Sequence, residues 1–288
     1  MVNPWRLFEA LGASRGDTAT VEFVTRGTVI RAQVPSNQLW VSIKDVLVYE
    51  DYEILDEFRL SALPRGATVL DAGAFVGFYS LKASQYASRV VSLEPNTASF
   101  RLLKANIDRN RVRNVECRSV ALTATGGPRR LEEAGTISEV RPDGRLIVDS
   151  VTLDALVEEL GMVDLMKVDI EGAEHEVFGA GISALKRIDK IVAEVHVFNE
   201  AHENNLGTLV RSLEASGHVV KLFPSPMLNW KYAVAKPWAC SLKRYNEGRA
   251  LTYRLLLSFI YGAGPLASIA KQRLEIGREL LLFAHRKA

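Results

Sequence analysis

Between Thr68 and Phe223 short apolar runs alternate with segments whose apolar residues recur every third or fourth position. The runs Thr68–Asp71, Val90–Glu94, Val115–Val120, Leu165–Asp169, Ile191–His196 and Val219–Phe223 predict strands. The periodic segments between them, near 78–86, 97–110, 152–160, 171–187 and 203–216, predict helices. Alternating strand and helix build a doubly wound, mainly parallel sheet with both faces covered, so the fold class is α/β. Asn96 and either Ser150 or Thr152 suit helix N-caps, and Gly161 and Gly217 suit helix ends. Residues 121–149 break the rhythm, and Gly126-Gly127-Pro128 and Pro142-Asp143-Gly144 mark turns of a short β excursion.

The flanks read differently. Val21 to Val34 alternates about Gly27 as a hairpin does, and Trp40 to Tyr49 is rich in strand-forming residues. Glu50 to Leu60 has helical spacing, with Ile54, Leu55 and Phe58 on one face, before Pro64-Arg65-Gly66 breaks the chain. After residue 223 come Pro224-Ser225-Pro226, Trp230, Tyr232 and Trp238, aromatics that either cap a pocket or pack beneath a loop. Leu255 to Ala270 lacks charge but is broken by Gly262, Gly264 and Pro265, and falls short of the roughly 20 residues a bilayer span needs. It packs on the body or on a second copy in a homodimer, or it lies in a membrane interface as a peripheral contact. The expected organisation is a β/α lead-in over 1–62, a central domain over 63–248 and a C-terminal helical extension over 249–288.

Composition narrows the class without choosing a function. Of 288 residues, 48% are hydrophobic and 24% charged, as in an ordinary globular protein. A formal charge of +2 does not by itself point to nucleic acid. Cys117 and Cys240 are the two cysteines, which form neither a disulfide framework nor a cysteine-rich zinc site. The N-terminus has no long apolar stretch of secretory type, so a cytoplasmic protein is expected.

Candidate chemistry begins at Asp71-Ala72-Gly73-Ala74-Phe75-Val76-Gly77, followed at the next strand's tip by Glu94-Pro95-Asn96. Strand, glycine turn, helix, strand and carboxylate suit a nucleoside-bearing cofactor: the backbone approaches the ligand and Glu94 accepts from two ribose hydroxyls. A dinucleotide turn has a Gly-x-Gly-x-x-Gly spacing that is absent here. Asp71 would repel a pyrophosphate and suits a cation, which favours S-adenosylmethionine with its sulfonium and ammonium.

The second cluster, Asp169-Ile170-Glu171-Gly172-Ala173-Glu174, ends another strand at the sheet edge where ligands bind in open α/β folds. Three carboxylates so close are costly to desolvate unless a cation or hydrogen bonds offset them. Glu174 alone also reads as a first-turn acid favoured by the helix dipole, worth under about 1 kcal/mol. Glu194 and His196 share a face of the following strand. His196 with a nearby carboxylate can take a proton from an acceptor hydroxyl, or it can simply cap the strand. Asp169, Glu171, Glu194 and His196 also have the chemistry to ligate a hard divalent cation, but nothing fixes a geometry, and no metal ligand is assigned. His175 and His202 are expected on solvent-facing helix surfaces.

These residues together resemble the FkbM-family methyltransferases, S-adenosylmethionine-dependent enzymes of class I (Rossmann-like) fold. The resemblance spans roughly 48–222. It rests on Asp71-Ala72-Gly73-Ala74 with Gly77-Phe78-Tyr79-Ser80, and on Glu94-Pro95-Asn96 with Phe100, Leu103, Asn106 and Asn110. Most specific is Lys167-Val168-Asp169-Ile170-Glu171-Gly172-Ala173-Glu174, and Glu194-Val195-His196 and Tyr49 to Tyr52 also fit. It implies that Asp71, Ala72, Gly73 and Gly77 shape the methionine end of the cofactor and that Glu94 holds the ribose. Asn96 helps place the adenosine, and Ser119 to Leu122, including Ala121, pass near adenine through backbone groups. Asp169 borders the cofactor and joins Glu171, Glu194 and His196 as candidate catalytic residues. The expected reaction is O-methylation of a small molecule, sugar or lipid-linked glycan. Two rivals stand beside it. A tRNA methyltransferase would use Arg101, Lys104, Arg109, Arg111 and Arg113, which read more plainly as a solvated helix face. A non-catalytic membrane-surface adaptor would use residues 250–288.

Overall fold

The computed structural model describes residues 17–48, 50–134, 137–224 and 278–286. Strands β1 (Thr18–Thr25) and β2 (Thr28–Pro35) form the expected hairpin about Arg26-Gly27. The core strands β3 (Thr68–Ala72), β4 (Arg89–Leu93) and β5 (Val115–Arg118) follow, linked by helices Phe78–Ala83 and Thr97–Arg109. The β excursion is present: β6 (Ala121–Leu122) leads to a small antiparallel sheet of β7 (Arg129–Ala134), β8 (Ile137–Val140) and β9 (Leu146–Val148), and β10 (Ser150–Val151) returns to pair with β6. Helix Leu153–Leu160 then leads to β11 (Val163–Val168), β12 (Ile188–Val197) follows, and helix Glu200–Ala215 leads to β13 (His218–Pro224). The last strand is β14 (Arg278–Arg286).

Among the described residues, seven strands make the central sheet in the order β13-β14-β12-β11-β3-β4-β5, parallel except for β14. Side chains alternate across it. Leu70, Ala72, Met166, Val168, Ile191 and Ala193 pack beneath the helices of the second half, against Leu156, Phe178 and Leu209. Val69, Leu165, Val192, Leu281 and Phe283 face Tyr52, Phe58, Leu60 and Tyr79 on the other side. The same alternation puts Asp71, Lys167 and Glu194 on this second face, so the lead-in covers charged groups as well as apolar ones. Asn96 and Thr152 are N-caps, their side-chain oxygens accepting from Ser99 and Ala155 backbone N–H groups.

Four expectations need correction. The C-terminal extension, read as helical, supplies β14, whose residues 281–284 are buried between β12 and β13. The rest of that extension, with the 255–270 segment and the aromatics from 230 to 238, lies outside the described residues. Glu50 to Leu60 is not one helix. It is a chain of 3-10 turns, Asp51–Glu53, Asp56–Phe58 and Leu60–Ala62, because Glu53 Oε2 accepts from the Leu60 N–H at 3.1 Å and Arg59 is extended. Trp40 to Tyr49 begins with a helical turn (Leu39–Ile43) and a wider one (Lys44–Val48) rather than a strand. The helix expected over 171–187 is two, Glu174–Ala180 and Ile182–Leu185, divided at Gly181 and preceded by an irregular loop.

Candidate active site

The turn after β3 holds the first half of the site. Gly73 and Ala74 donate their N–H groups to the Leu93 carbonyl at 3.0 and 2.9 Å, folding the turn toward the tip of β4. Gly73 sits at φ 76, and a Cβ built there would lie 1.7 Å from the Asp169 carbonyl oxygen. No side chain fits where these two loops touch. At Gly77 a Cβ would meet Leu103 at 2.5 Å, so its lack of a side chain gives helix Thr97–Arg109 room. Phe75, at φ 50, presents its N–H to Glu94 Oε2 at 2.8 Å. Glu94 Oε1 accepts from the Asn96 N–H, also at 2.8 Å. A carboxylate offers about four lone-pair positions, so two remain for hydroxyl donors. Burial raises the Glu94 carboxyl to about 7, against the opposing pull of these two N–H bonds and of Lys167.

Asp71 is 0% exposed. Its Oδ2 accepts from Ser80 Oγ at 2.6 Å, and its Oδ1 lies 3.4 Å from Lys167 Nζ. Lys167 also donates to the Gly73 carbonyl at 2.7 Å and stands 3.6 Å from Asp169 Oδ2. Burial alone would lower the lysine's proton affinity, but Asp71, Asp169 and Glu194 more than offset it and raise the pKa. Asp71 therefore shapes the turn through Lys167 and Ser80.

Of the other candidate cofactor residues, Ala72 is buried and its carbonyl accepts from the Asp169 N–H at 3.0 Å. Asn96 caps the helix and reaches Ser138 of β8 at 3.2 Å, tying the insertion to the site. Ser119 is exposed. Ala121 is buried and gives its N–H to the Asp149 carbonyl at 2.8 Å, so that donor is already engaged.

The second half gathers around β11 and β12. Tyr52, from the lead-in, places its hydroxyl 3.1 Å from Asp169 Oδ2 and 3.2 Å from Glu194 Oε2. Burial first, and then Asp169 and Glu194, hold its phenol protonated. His196 lies between two acids: Nε2 is 3.5 Å from Glu171 Oε2 and Nδ1 is 3.3 Å from Glu174 Oε1. Burial would lower the imidazole pKa, yet Glu171 and Glu174 raise it well above its usual value. Burial pushes Glu171 up to about 7 despite His196 beside it. Glu171 and His196 thus shift each other's titration in opposite directions. Asp169, Glu171, Glu194 and His196 come together, as do Asp71, Gly73 and Glu94, and the Gly73–Asp169 contact joins the two groups.

Ligand atoms of Asp169, Glu171 and His196 converge within 4.8 Å, as do those of Glu194, His196 and Glu279. Tyr52 donates toward Asp169 and Glu194, and His196 sits between Glu171 and Glu174, so these acids already have protein partners. Three residues with parts in this network do not stand out as site residues in the sequence. Tyr52 and Lys167 figure there only within motifs, and Glu174 reads equally as a helix-dipole acid. His175 is buried rather than solvent-facing, its Nε2 2.8 Å from the His196 carbonyl and its ring stacked 4.6 Å from half-buried His202.

Against known proteins, the family model described as the methyltransferase FkbM domain matches residues 71–223. The AMB antimetabolite synthetase AmbE of Pseudomonas aeruginosa is 27% identical over 246 residues, covering 67% of this chain and 12% of that protein. The hexuronic acid methyltransferase AglP of Haloferax volcanii is 29% identical over 132 residues, covering 44% of this chain and 54% of that one. The chain thus spans about half of one curated relative and a small part of the other. A crystal structure of methyltransferase FkbM from Methylobacillus flagellatus aligns at 17% identity with a TM-score of 0.42, over 65% of this chain and 50% of that chain. The sheet described above is the class I arrangement expected from the sequence. No helix among the described residues is long and apolar enough to cross a membrane.

Proposed function

The chain belongs to the FkbM methyltransferase family, and from that premise we propose that it moves a methyl group from S-adenosylmethionine to a hydroxyl of a small molecule, sugar or lipid-linked glycan. The likeness to the Haloferax relative, a hexuronic acid methyltransferase, supports a sugar among these acceptors. Bound S-adenosylmethionine supplies an electrophilic methyl on a positive sulfur. The residues present fit it: Glu94 keeps lone pairs for ribose hydroxyls, and the acid-rich loop after β11 suits a cation beside the Gly73 turn.

One observation carries the choice of oxygen, the Glu171–His196 pair. An alcohol must lose its proton as the new bond forms, and a base with pKa near the working pH serves best. Glu171 stands at about 7 and its side chain is 23% exposed against 5% for His196, so Glu171 is the member that meets an acceptor. His196 holds the proton balance behind it. Tyr52 fixes Asp169 and Glu194 at the same edge, where they bound the acceptor space. Fixing the acceptor oxygen in line is worth as much as about 7–11 kcal/mol in favourable cases.

The test is transfer of labelled methyl from S-adenosylmethionine into a cell extract and sugar panel, followed by identification of the product. An O-methyl product whose formation falls roughly 10²–10⁴-fold in Glu171→Gln is expected. A product methylated at nitrogen, or undiminished turnover in that variant, contradicts the proposal.

A further inference from the structure

We infer that Glu174 is a positioning residue for the Glu171–His196 pair, fixing both the shape of the Glu171 loop and the direction in which the imidazole faces. The inference rests on the reading of that pair as the proton acceptor. Glu174 is the first residue of its helix, where an acid ordinarily faces solvent, yet here it is 0% exposed. Its Oε1 accepts from the Ile170 N–H and its Oε2 from the Gly172 N–H, each at 3.0 Å. Those two donors flank Glu171, which takes φ 53, a left-handed conformation that a non-glycine residue adopts only when its surroundings impose it. Oε1 also faces His196 Nδ1 at 3.3 Å. A hydrogen on Nδ1 bonded to this carboxylate leaves Nε2 to exchange a proton with Glu171, 3.5 Å away. A carboxylate behind an imidazole fixes the tautomer and orientation of the ring in the same way elsewhere.

Other charged groups also bear on His196. Asp169 and Glu171 come from the loop, Glu174 and His175 from the helix and Glu194 from β12 itself. Glu279 stands opposite on β14, Glu139 acts from the insertion and His202 from helix Glu200–Ala215. Among the side chains named above, Glu174 bonds the backbone on both sides of Glu171.

Nitrogen NMR of the full chain with ring-labelled histidine tests this without an acceptor substrate. A His196→Asn spectrum assigns the resonance among the five histidines. In the wild type, His196 should keep its Nδ1 proton throughout the titration while Nε2 gains and loses one. A neutral form protonated on Nε2 instead overturns the inference, and this readout is taken on the wild-type protein. In Glu174→Gln, His196 should titrate at least about one unit lower and populate the other tautomer, because an adjacent charge is gone. Glu174→Asp should fall between the two. Wild-type shifts and titration in folded Glu174→Gln overturn the inference. Calorimetry with S-adenosylhomocysteine on the wild-type sample reports separately on the cofactor reading. Failure of the wild type to bind contradicts the proposed function alone and leaves the tautomer result to decide this inference.

Discussion

The ammonium of Lys167 donates to the carbonyl of Gly73 at 2.7 Å, which ties β11 to the turn that opens the proposed cofactor site. The same nitrogen lies between Asp71 and Asp169, so one cation offsets two acids from neighbouring strands. Replacing Lys167 by Met leaves a fully buried carboxylate at Asp71 without its cation. Removing one partner of such a buried pair costs about 3–5 kcal/mol. Urea unfolding should show a loss of this size, and calorimetry should show weaker S-adenosylhomocysteine binding. A Lys167→Met protein with wild-type stability and affinity contradicts this role.

Glu94 gives the site a pH dependence of defined sign. Its folded-state pKa is about 7 against an ordinary 4.5, so its contribution to stability is full below about 4.5 and is lost as pH rises through about 7. Ribose hydroxyls donate to the ionised form, so binding draws the proton off. Affinity for S-adenosylhomocysteine should therefore strengthen from pH 6 to pH 8, with proton release near pH 7 visible as a buffer-dependent heat. Glu94→Gln should bind weakly and lose this dependence. Equal wild-type affinity at both pH values contradicts the assignment.

Tyr52 brings one phenol hydrogen to two carboxylates. In Tyr52→Phe, Asp169 and Glu194 lose this donor, at a cost of about 1–3 kcal/mol. Because the ring and its edge contact with Tyr79 remain, the loss isolates the hydroxyl. Chemical denaturation of the Tyr52→Phe variant against wild type measures it, and an unchanged midpoint shows that the hydroxyl does not hold the acids.

Residues 278–286 are part of the central sheet, which changes what truncation can test. Leu281, Leu282 and Phe283 are each buried, and burying such a side chain contributes about 1.5–3 kcal/mol. Against a net stability of about 5–15 kcal/mol, a chain ending at 277 should show no cooperative unfolding transition. Phe283→Ala should fold but lose about 3–5 kcal/mol, as read from its denaturation midpoint. A soluble, cooperatively folded 1–277 chain contradicts this placement. Membrane association of the 255–270 segment is therefore better tested by substitutions within it than by removing the whole C-terminal extension.

What the sequence displays, and what it hides, follows from the range of the interactions involved. The core strands β3, β4, β11 and β12 are legible because strands buried on both faces read as apolar runs. Asp71, Glu94 and Asp169 stand out because polar groups end those runs. Strand β14 is not legible, because Glu279-Leu280-Leu281-Leu282-Phe283-Ala284 has no β-branched residue and its local preference is helical; pairing with β12 and β13 overrides it. Tyr52 stays hidden because its Asp169 contact crosses 117 residues of chain. The spacing of Glu174 is equally that of a helix-dipole acid, and only its complete burial among local N–H donors separates the two readings. The broken lead-in helix has a similar cause, since Glu53 binds backbone a helix would need.

Calorimetric titration of S-adenosylhomocysteine into the wild type and Gly73→Ala, each first shown to be folded, probes the cofactor claim most directly. The account predicts one-to-one binding by the wild type and its loss in the variant, whose added methyl collides with the Asp169 carbonyl. No binding by folded wild-type protein, or equal binding by both, would contradict it.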